Sequence, residues 1–135
     1  MRMPALRPRS RTALSGTGGV VRLDNRTKNL TKRLRPGDVA VIDHLDVDRV
    51  SAEALVACGP CAVVNASPST SGRYPNLGPQ ILVEAGIPLL DDVGPEVFGR
   101  LREGELVTLD GDRLVQRDGT VAAQGTLLDA PAVAA

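Results

Sequence analysis

Aromatic residues are nearly missing from this chain: one Phe, one Tyr and no Trp. Its core must be built from Val, Leu, Ile and Ala. A surface for stacking nucleobases is not expected, because such sites need aromatic platforms. No nucleic-acid partner is therefore expected. Cysteine is limited to Cys58 and Cys61, and histidine to His44. Two Cys without a second Cys or His pair do not make a zinc site. No apolar run approaches the roughly 18 residues of a membrane span. The basic N-terminus is not followed by the apolar stretch of about 7 to 15 residues that marks a secretory signal. These absences point to a cytoplasmic domain.

The formal net charge is zero, but the charges are segregated. Residues 1–35 carry ten Lys and Arg against the single acid Asp24, net +9. Residues 36–135 carry six Arg against fifteen acids, net −9. A basic arm on an acidic body can seek an anionic partner or fold back on its own body. Residues 1–19 mix Arg, Pro, Ser, Thr and Gly, and read as a flexible arm. Within them, Ser15-Gly16-Thr17-Gly18-Gly19 has the glycines of a phosphate loop. It lacks the Gly-Lys-Ser/Thr ending and follows no strand, so it reads as a hinge.

The rest, residues 20–128, reads as a single α/β domain. Asp24 is placed to cap a helix to about Leu34, with Leu23, Thr27, Leu30 and Leu34 on one side. Pro36-Gly37 breaks it. Three apolar runs follow, at Val39–Ile42, residues 61–64 and residues 87–90. Helical patterns separate them, at residues 48–58 and 80–85, ended by Gly59 and Gly86. This is strand-helix-strand-helix-strand, the pattern of a parallel sheet with right-handed crossovers. Pro95 opens a short helix to about Leu101. Antiparallel strands then run at residues 106–109, 114–116 and 121–123, joined by Asp110-Gly111 and Asp118-Gly119 turns. The predicted fold is α/β: a short parallel β-α-β-α-β unit followed by antiparallel strands. Asp129 and Pro131 read as the start of a helix over 129–135, leading into a further C-terminal region.

In a parallel unit the carboxyl ends of the strands share one edge, where ligands collect. Three polar clusters fall there: Asp43-His44-Leu45-Asp46, the loop over residues 65–78, and Asp91-Asp92. The loop is too long for an ordinary strand-to-helix connection. It holds the only Tyr, Tyr74, together with Arg73, an anion clamp by chemistry. Ser67, Ser69 and Ser71 offer hydroxyls, Asn65 and Asn76 offer amides, and Gly72 and Gly78 allow close backbone approach. The candidate ligand-binding set is Asp43, His44, Asp46, Asn65, Ser67, Ser69, Ser71, Gly72, Arg73, Tyr74, Asn76 and Gly78. It fits a nucleotide or pyrophosphate ligand with magnesium, since magnesium accepts a few carboxylates plus phosphate oxygens. The plainer reading is a loop satisfied by its own hydrogen bonds. No cofactor and no catalytic residue are assigned. His44 between Asp43 and Asp46 has the makings of an oriented base, but no nucleophile sits at a known spacing.

Cys58-Gly59-Pro60-Cys61 matches the thioredoxin dithiol in letters. Its first Cys closes a helix instead of opening one, where the helix dipole opposes a thiolate. Inert thiols are the expectation.

Arg35-Pro36-Gly37-Asp38-Val39-Ala40-Val41-Ile42-Asp43-His44-Leu45-Asp46, Val63-Val64-Asn65-Ala66, Ser71-Gly72-Arg73-Tyr74-Pro75-Asn76-Leu77-Gly78-Pro79 and Ala85-Gly86-Ile87-Pro88-Leu89 together resemble the N-terminal domain of SteA-type cytokinetic ring proteins of actinobacteria. The resemblance runs from about Val20 to Leu128. It implies a regulatory, ligand-binding cytoplasmic domain of a cell-division protein. It also implies a following thiamin-pyrophosphokinase-like domain, C-terminal membrane segments and a SteB-like membrane partner at the division site. The alternative is one part of a nucleotide or pyrophosphate site of a thiamin-pyrophosphokinase-like transferase, completed by that following domain. Homo-oligomerisation is left open. The element order is also similar to the swivelling phosphohistidine domain of phosphoenolpyruvate-utilising enzymes. There the helix begins with the phosphorylated His, where this chain has Asn76-Leu77.

Overall fold

The computed structural model describes residues 17–70 and 77–129. They form a mixed α/β fold with one eight-stranded sheet. The strands are β1 (Thr17–Leu23), β2 (Val39–Ile42), β3 (Ala62–Asn65), β4 (Leu89–Asp91), β5 (Leu106–Asp110), β6 (Arg113–Gln116), β7 (Val121–Gln124) and β8 (Thr126–Leu128). The helices are α1 (Thr27–Leu30), α2 (Arg49–Cys58), α3 (Gly78–Glu84) and α4 (Val97–Arg100). Across the sheet the order is β7-β6-β5-β1-β2-β3-β4-β8. β1 to β4 are parallel, and every other pairing is antiparallel. No helix among the described residues is long and apolar enough to cross a membrane.

The parallel strands follow one another in sequence order. Crossovers of one hand therefore put α2 and α3 on the same face. Alternation along each strand separates two cores. Ala40, Ile42, Val63 and Leu89 pack with Ala52 and Leu55 of α2 and Leu82 of α3. Val39, Val41, Ala62, Val64 and Leu90 point the other way. No crossover helix covers that face. Val107, Leu109, Leu114, Ala122 and Ala123 of the antiparallel strands do, together with Val97 and Leu101.

The sheet is rolled. β7 and β8 stand at its two ends, yet only Gly125 separates them in the chain. One bent stretch therefore carries both edges. Gly125 permits this close approach, since a Cβ there would lie 2.2 Å from the Asp91 carbonyl oxygen.

Five expectations need correction. The expected arm ends earlier, because residues 17–19 begin β1 and pair with β5. The helix expected over residues 24–34 is the single turn α1 with a turn after it. Asp24 does not cap it. Its carboxylate accepts a hydrogen bond from the Arg26 amide at 2.9 Å and pairs with Arg33 at 3.1 Å. Leu30, Leu34 and Thr27 are buried as their spacing requires, but Leu23 ends β1 and packs in the opposite core. Finally, β8 was not expected at all. The helix expected over 129–135 and most of the N-terminal arm lie outside the described residues.

Candidate functional site

Asp43 and His44 follow β2, Ser67 and Ser69 follow β3, and Asp91 ends β4. Parallel register makes these exits neighbours: Ile42 pairs with Asn65, and Val64 with Leu90. The centre of the edge is Asn65, fully buried. Its Oδ1 accepts from the His44 amide at 2.9 Å and the Ser67 amide at 3.1 Å. Its Nδ2 donates to the His44 carbonyl at 2.8 Å and to Ser69 Oγ at 2.7 Å. Both acceptor positions and both donors are therefore used. Ser69 passes the chain on, donating from Oγ to Asp91 Oδ1 at 2.5 Å and from its amide to the same oxygen at 2.9 Å.

Backbone bonds lace the loops to one another. The Asp46 amide donates to the Pro68 carbonyl at 3.0 Å, and the Val47 amide to the Ser69 carbonyl at 2.9 Å. The Val93 amide donates to the Asn65 carbonyl at 3.0 Å. Gly78 presses on the first loop, where a Cβ would lie 2.1 Å from the Val47 carbonyl oxygen. Its missing side chain serves contact within the protein.

Two side-chain pairs join this brace at the same edge. Ser67 Oγ donates to Asp43 Oδ1. His44 Nδ1 shares a 2.8 Å hydrogen bond with Thr27 Oγ1, from α1. Thr27 is buried, and sequence reasoning placed it only in an apolar stripe. Its link to His44 spans 17 positions, which no local pattern reports.

The candidate set thus divides. The structure brings together Asp43, His44, Asp46, Asn65, Ser67, Ser69 and Gly78. Asn65, Ser69 and Gly78 are buried within the brace, while Asp43, His44, Asp46 and Ser67 are half-buried at its surface. Ser71, Gly72, Arg73, Tyr74 and Asn76 lie outside the described residues.

No family model, curated protein or solved structure matches this chain. The chemistry of the edge is therefore read from its own residues.

Segments 43–48, 65–70 and 91–94 carry five Asp and no Arg or Lys. An anionic ligand would need Arg73 or a bridging cation to meet this field. No group of three His, Cys, Asp or Glu among the described residues is arranged to hold a metal. Any magnesium would thus draw most of its oxygens from phosphate and water. Asp48 caps α2. Hydrogen bonding from Ser51, with the nearby His44 contributing, holds its carboxyl below the usual range.

Asp91 is 8% exposed. Burial pushes its carboxyl up from 3.8, against the opposing Ser69 hydrogen bonds. A raised native value means that the folded state binds the proton more tightly. This contribution to stability is full below the unfolded value and is lost as pH rises through the native one. Asp91→Asn keeps an Oδ1 to accept from Ser69 and removes the charge. Urea melts across a pH series should show the variant gaining on the parent as pH rises from about 3 toward 7. A parent that gains on the variant over that range contradicts the assignment.

The dithiol is split by the sheet. Cys58 packs with the helical core and Cys61 with the core on the other face. Cys58 Sγ donates to the Thr31 carbonyl at 3.4 Å, and Cys61 Sγ to the Gly18 carbonyl at 3.6 Å. Burial raises the Cys61 thiol above its ordinary value. Both cysteines are free. After exposure to oxidised glutathione, thiol titration should still count both. Cys58→Ala with Cys61→Ala should keep a cooperative melt and cost about 1–2 kcal/mol through lost packing.

Proposed function

We propose that this chain is the ligand-binding regulatory domain of a SteA-type cell-division protein, acting without catalysis of its own. The observation that carries the reading is the joining of segments far apart in sequence at one edge. Asp43 bonds to Ser67, His44 to Asn65, and Gly78 abuts Val47. These are segments on which the resemblance rests. The Asn65 brace holds them before any ligand arrives, which lowers the ordering cost of binding.

The ligand is phosphate-bearing, with Arg73 as its clamp and magnesium bridging to Asp43. The non-catalytic role rests on the resemblance alone, and the side chains of the edge hold one another. Ser67 Oγ already donates to Asp43, and His44 Nδ1 is engaged by Thr27. The second reading keeps the same edge as one wall of a nucleotide or pyrophosphate site completed by a following thiamin-pyrophosphokinase-like domain. In either case the SteB-like partner and the division-site membrane are met by the whole protein.

A thermal-shift screen with nucleotides, thiamin phosphates and pyrophosphate, each with magnesium, separates the readings. The regulatory reading expects saturable stabilisation of this chain by itself, lost in Arg73→Ala and Ser67→Ala. Stabilisation only of the full-length protein supports the second. No stabilisation of either overturns both. A fluorescent fusion of the full-length protein tests the cellular role: a diffuse signal with no enrichment at the septum removes it.

A further inference from the structure

Three strand exits to the shared edge are legible in the sequence, and the fold adds a fourth. β1 runs parallel to β2, with Leu23 beside Val41. Its carboxyl end therefore opens where β2, β3 and β4 open. The residues leaving it are bound to β2 and its exit at two points. The Asp24 amide donates to the Val41 carbonyl at 3.1 Å, and Thr27 Oγ1 shares its 2.8 Å hydrogen bond with His44 Nδ1. Thr27 is buried, while its chain neighbours Arg26 and Lys28 are exposed.

These two cations differ from the others nearby. Arg33 pairs with Asp24 at 3.1 Å and with Glu103 at 2.8 Å. Arg22 pairs with Asp38 at 3.2 Å, and Arg49, at the start of α2, with Glu53 at 3.1 Å. Neither Arg26 nor Lys28 has an ion pair among the described residues. The backbone of Arg26 is committed all the same. Its amide donates to Asp24 Oδ1 at 2.9 Å, and its carbonyl accepts from the Asn29 and Leu30 amides, each at 3.1 Å. A fixed backbone with an unpaired cationic head is preorganised for an outside partner. Arg35 is exposed too, but the chain has carried it away. Its amide donates to Asp38 Oδ2 at 2.9 Å, just before β2 begins at the opposite edge. The length of β2 separates the two edges by about 13 Å.

We infer that Arg26 and Lys28 are the cationic contacts for the phosphate-bearing ligand of this edge. This rests on the ligand-binding reading above and adds the residues that make an anion acceptable there. Asp43, Asp46, Asp48, Asp91 and Asp92 lie at the exits of β2 and β4. A phosphate approaching them by itself is repelled. From the β1 side it meets charge of the right sign. A guanidinium takes two phosphate oxygens in its planar fork, and an ammonium adds a point charge beside it. The ligand then lies between these cations and the Asp43–Ser67 pair, next to His44.

Isothermal titration with pyrophosphate and magnesium tests this on the 135-residue chain. Arg26→Gln and Lys28→Gln should each weaken binding about tenfold, the worth of one charge-assisted contact. Arg26→Lys should recover part of the first loss, since it restores charge without the fork. Arg35→Gln, at the opposite edge, should bind as the parent does. These variants should melt with the parent, because none removes an ion pair of the described fold. Binding that survives the Arg26→Gln/Lys28→Gln double variant overturns the inference and leaves the ligand reading standing. An equal loss in Arg35→Gln also overturns it, by showing that pyrophosphate feels only diffuse basic charge. A double variant that melts lower yet binds unchanged assigns the two cations to the protein's own carboxylates, and the inference fails. No binding by the parent sinks the ligand reading itself, and this inference with it.

Discussion

Asn65→Ala is expected to cost this protein about 3 kcal/mol or more, a large share of the roughly 5–15 kcal/mol that holds a domain folded. The residue buries no large apolar surface, so the loss is one of hydrogen bonding. Removing the amide strips partners from the His44 amide and carbonyl, the Ser67 amide and Ser69 Oγ at once. Each polar group left unsatisfied away from water costs about 1–3 kcal/mol, though the half-exposed ones recover part of that from solvent. Asn65→Asp keeps both acceptors but cannot donate while ionised. It also places a second carboxylate in the chain that leads through Ser69 to Asp91. Its deficit should shrink as pH falls and the new carboxyl regains a proton. Urea denaturation gives the answer: the midpoint should drop with little change in slope. A loss below about 1 kcal/mol would mean that water replaces the amide and that the edge is not braced by it.

The second large effect is at Gly78. Gly78→Ala should destabilise by about 3 kcal/mol, the upper range for overpacking. The added Cβ would lie 2.1 Å from the Val47 carbonyl oxygen and 2.7 Å from its carbon. Those are backbone atoms and cannot rotate away. Either α3 withdraws or the loop after β2 shifts. A shift would pull on the bond from the Val47 amide to the Ser69 carbonyl, so the edge should loosen as well as the fold. Gly99→Ala is the control. Gly99 lies in α4, and a Cβ there meets nothing within 4 Å. Relief of backbone entropy should stabilise that variant by about 0.5–1 kcal/mol. Equal melting temperatures for the two alanine variants would show that the close approach at Gly78 relaxes without cost.

Much of the parallel unit was legible from residues alone. Val39–Ile42 has its expected bounds, because Pro36-Gly37 and the polar Asp43 delimit a short apolar run. Asp48 caps α2 and Gly59 ends it in the left-handed conformation, both local events. The Asp-Gly turns fixed the hairpins of β5, β6 and β7 for the same reason. β1 was hidden because Thr17-Gly18-Gly19 has the composition of a hinge. Gly19 is nonetheless needed inside the sheet, where a Cβ would lie 2.2 Å from the Gly37 carbonyl oxygen. β8 is three residues long and carries no signal of its own.

That Asp43, Asn65 and Asp91 would share an edge followed from three parallel strands in sequence order. The roles they play there were decided by tertiary structure. Asn65 and Ser69 resemble ligand contacts in the sequence, but folding turns both inward to satisfy each other and their neighbours. His44 finds its partner in Thr27, and the carboxylate of Asp91 finds Ser69 at a separation of 22 positions. Turns, caps and alternation depend on neighbours a few residues apart, so composition and period carry them. Hydrogen bonds between loops depend on strand register and on the rolling of the sheet, because a polar side chain commits to a partner only once burial has removed water from both.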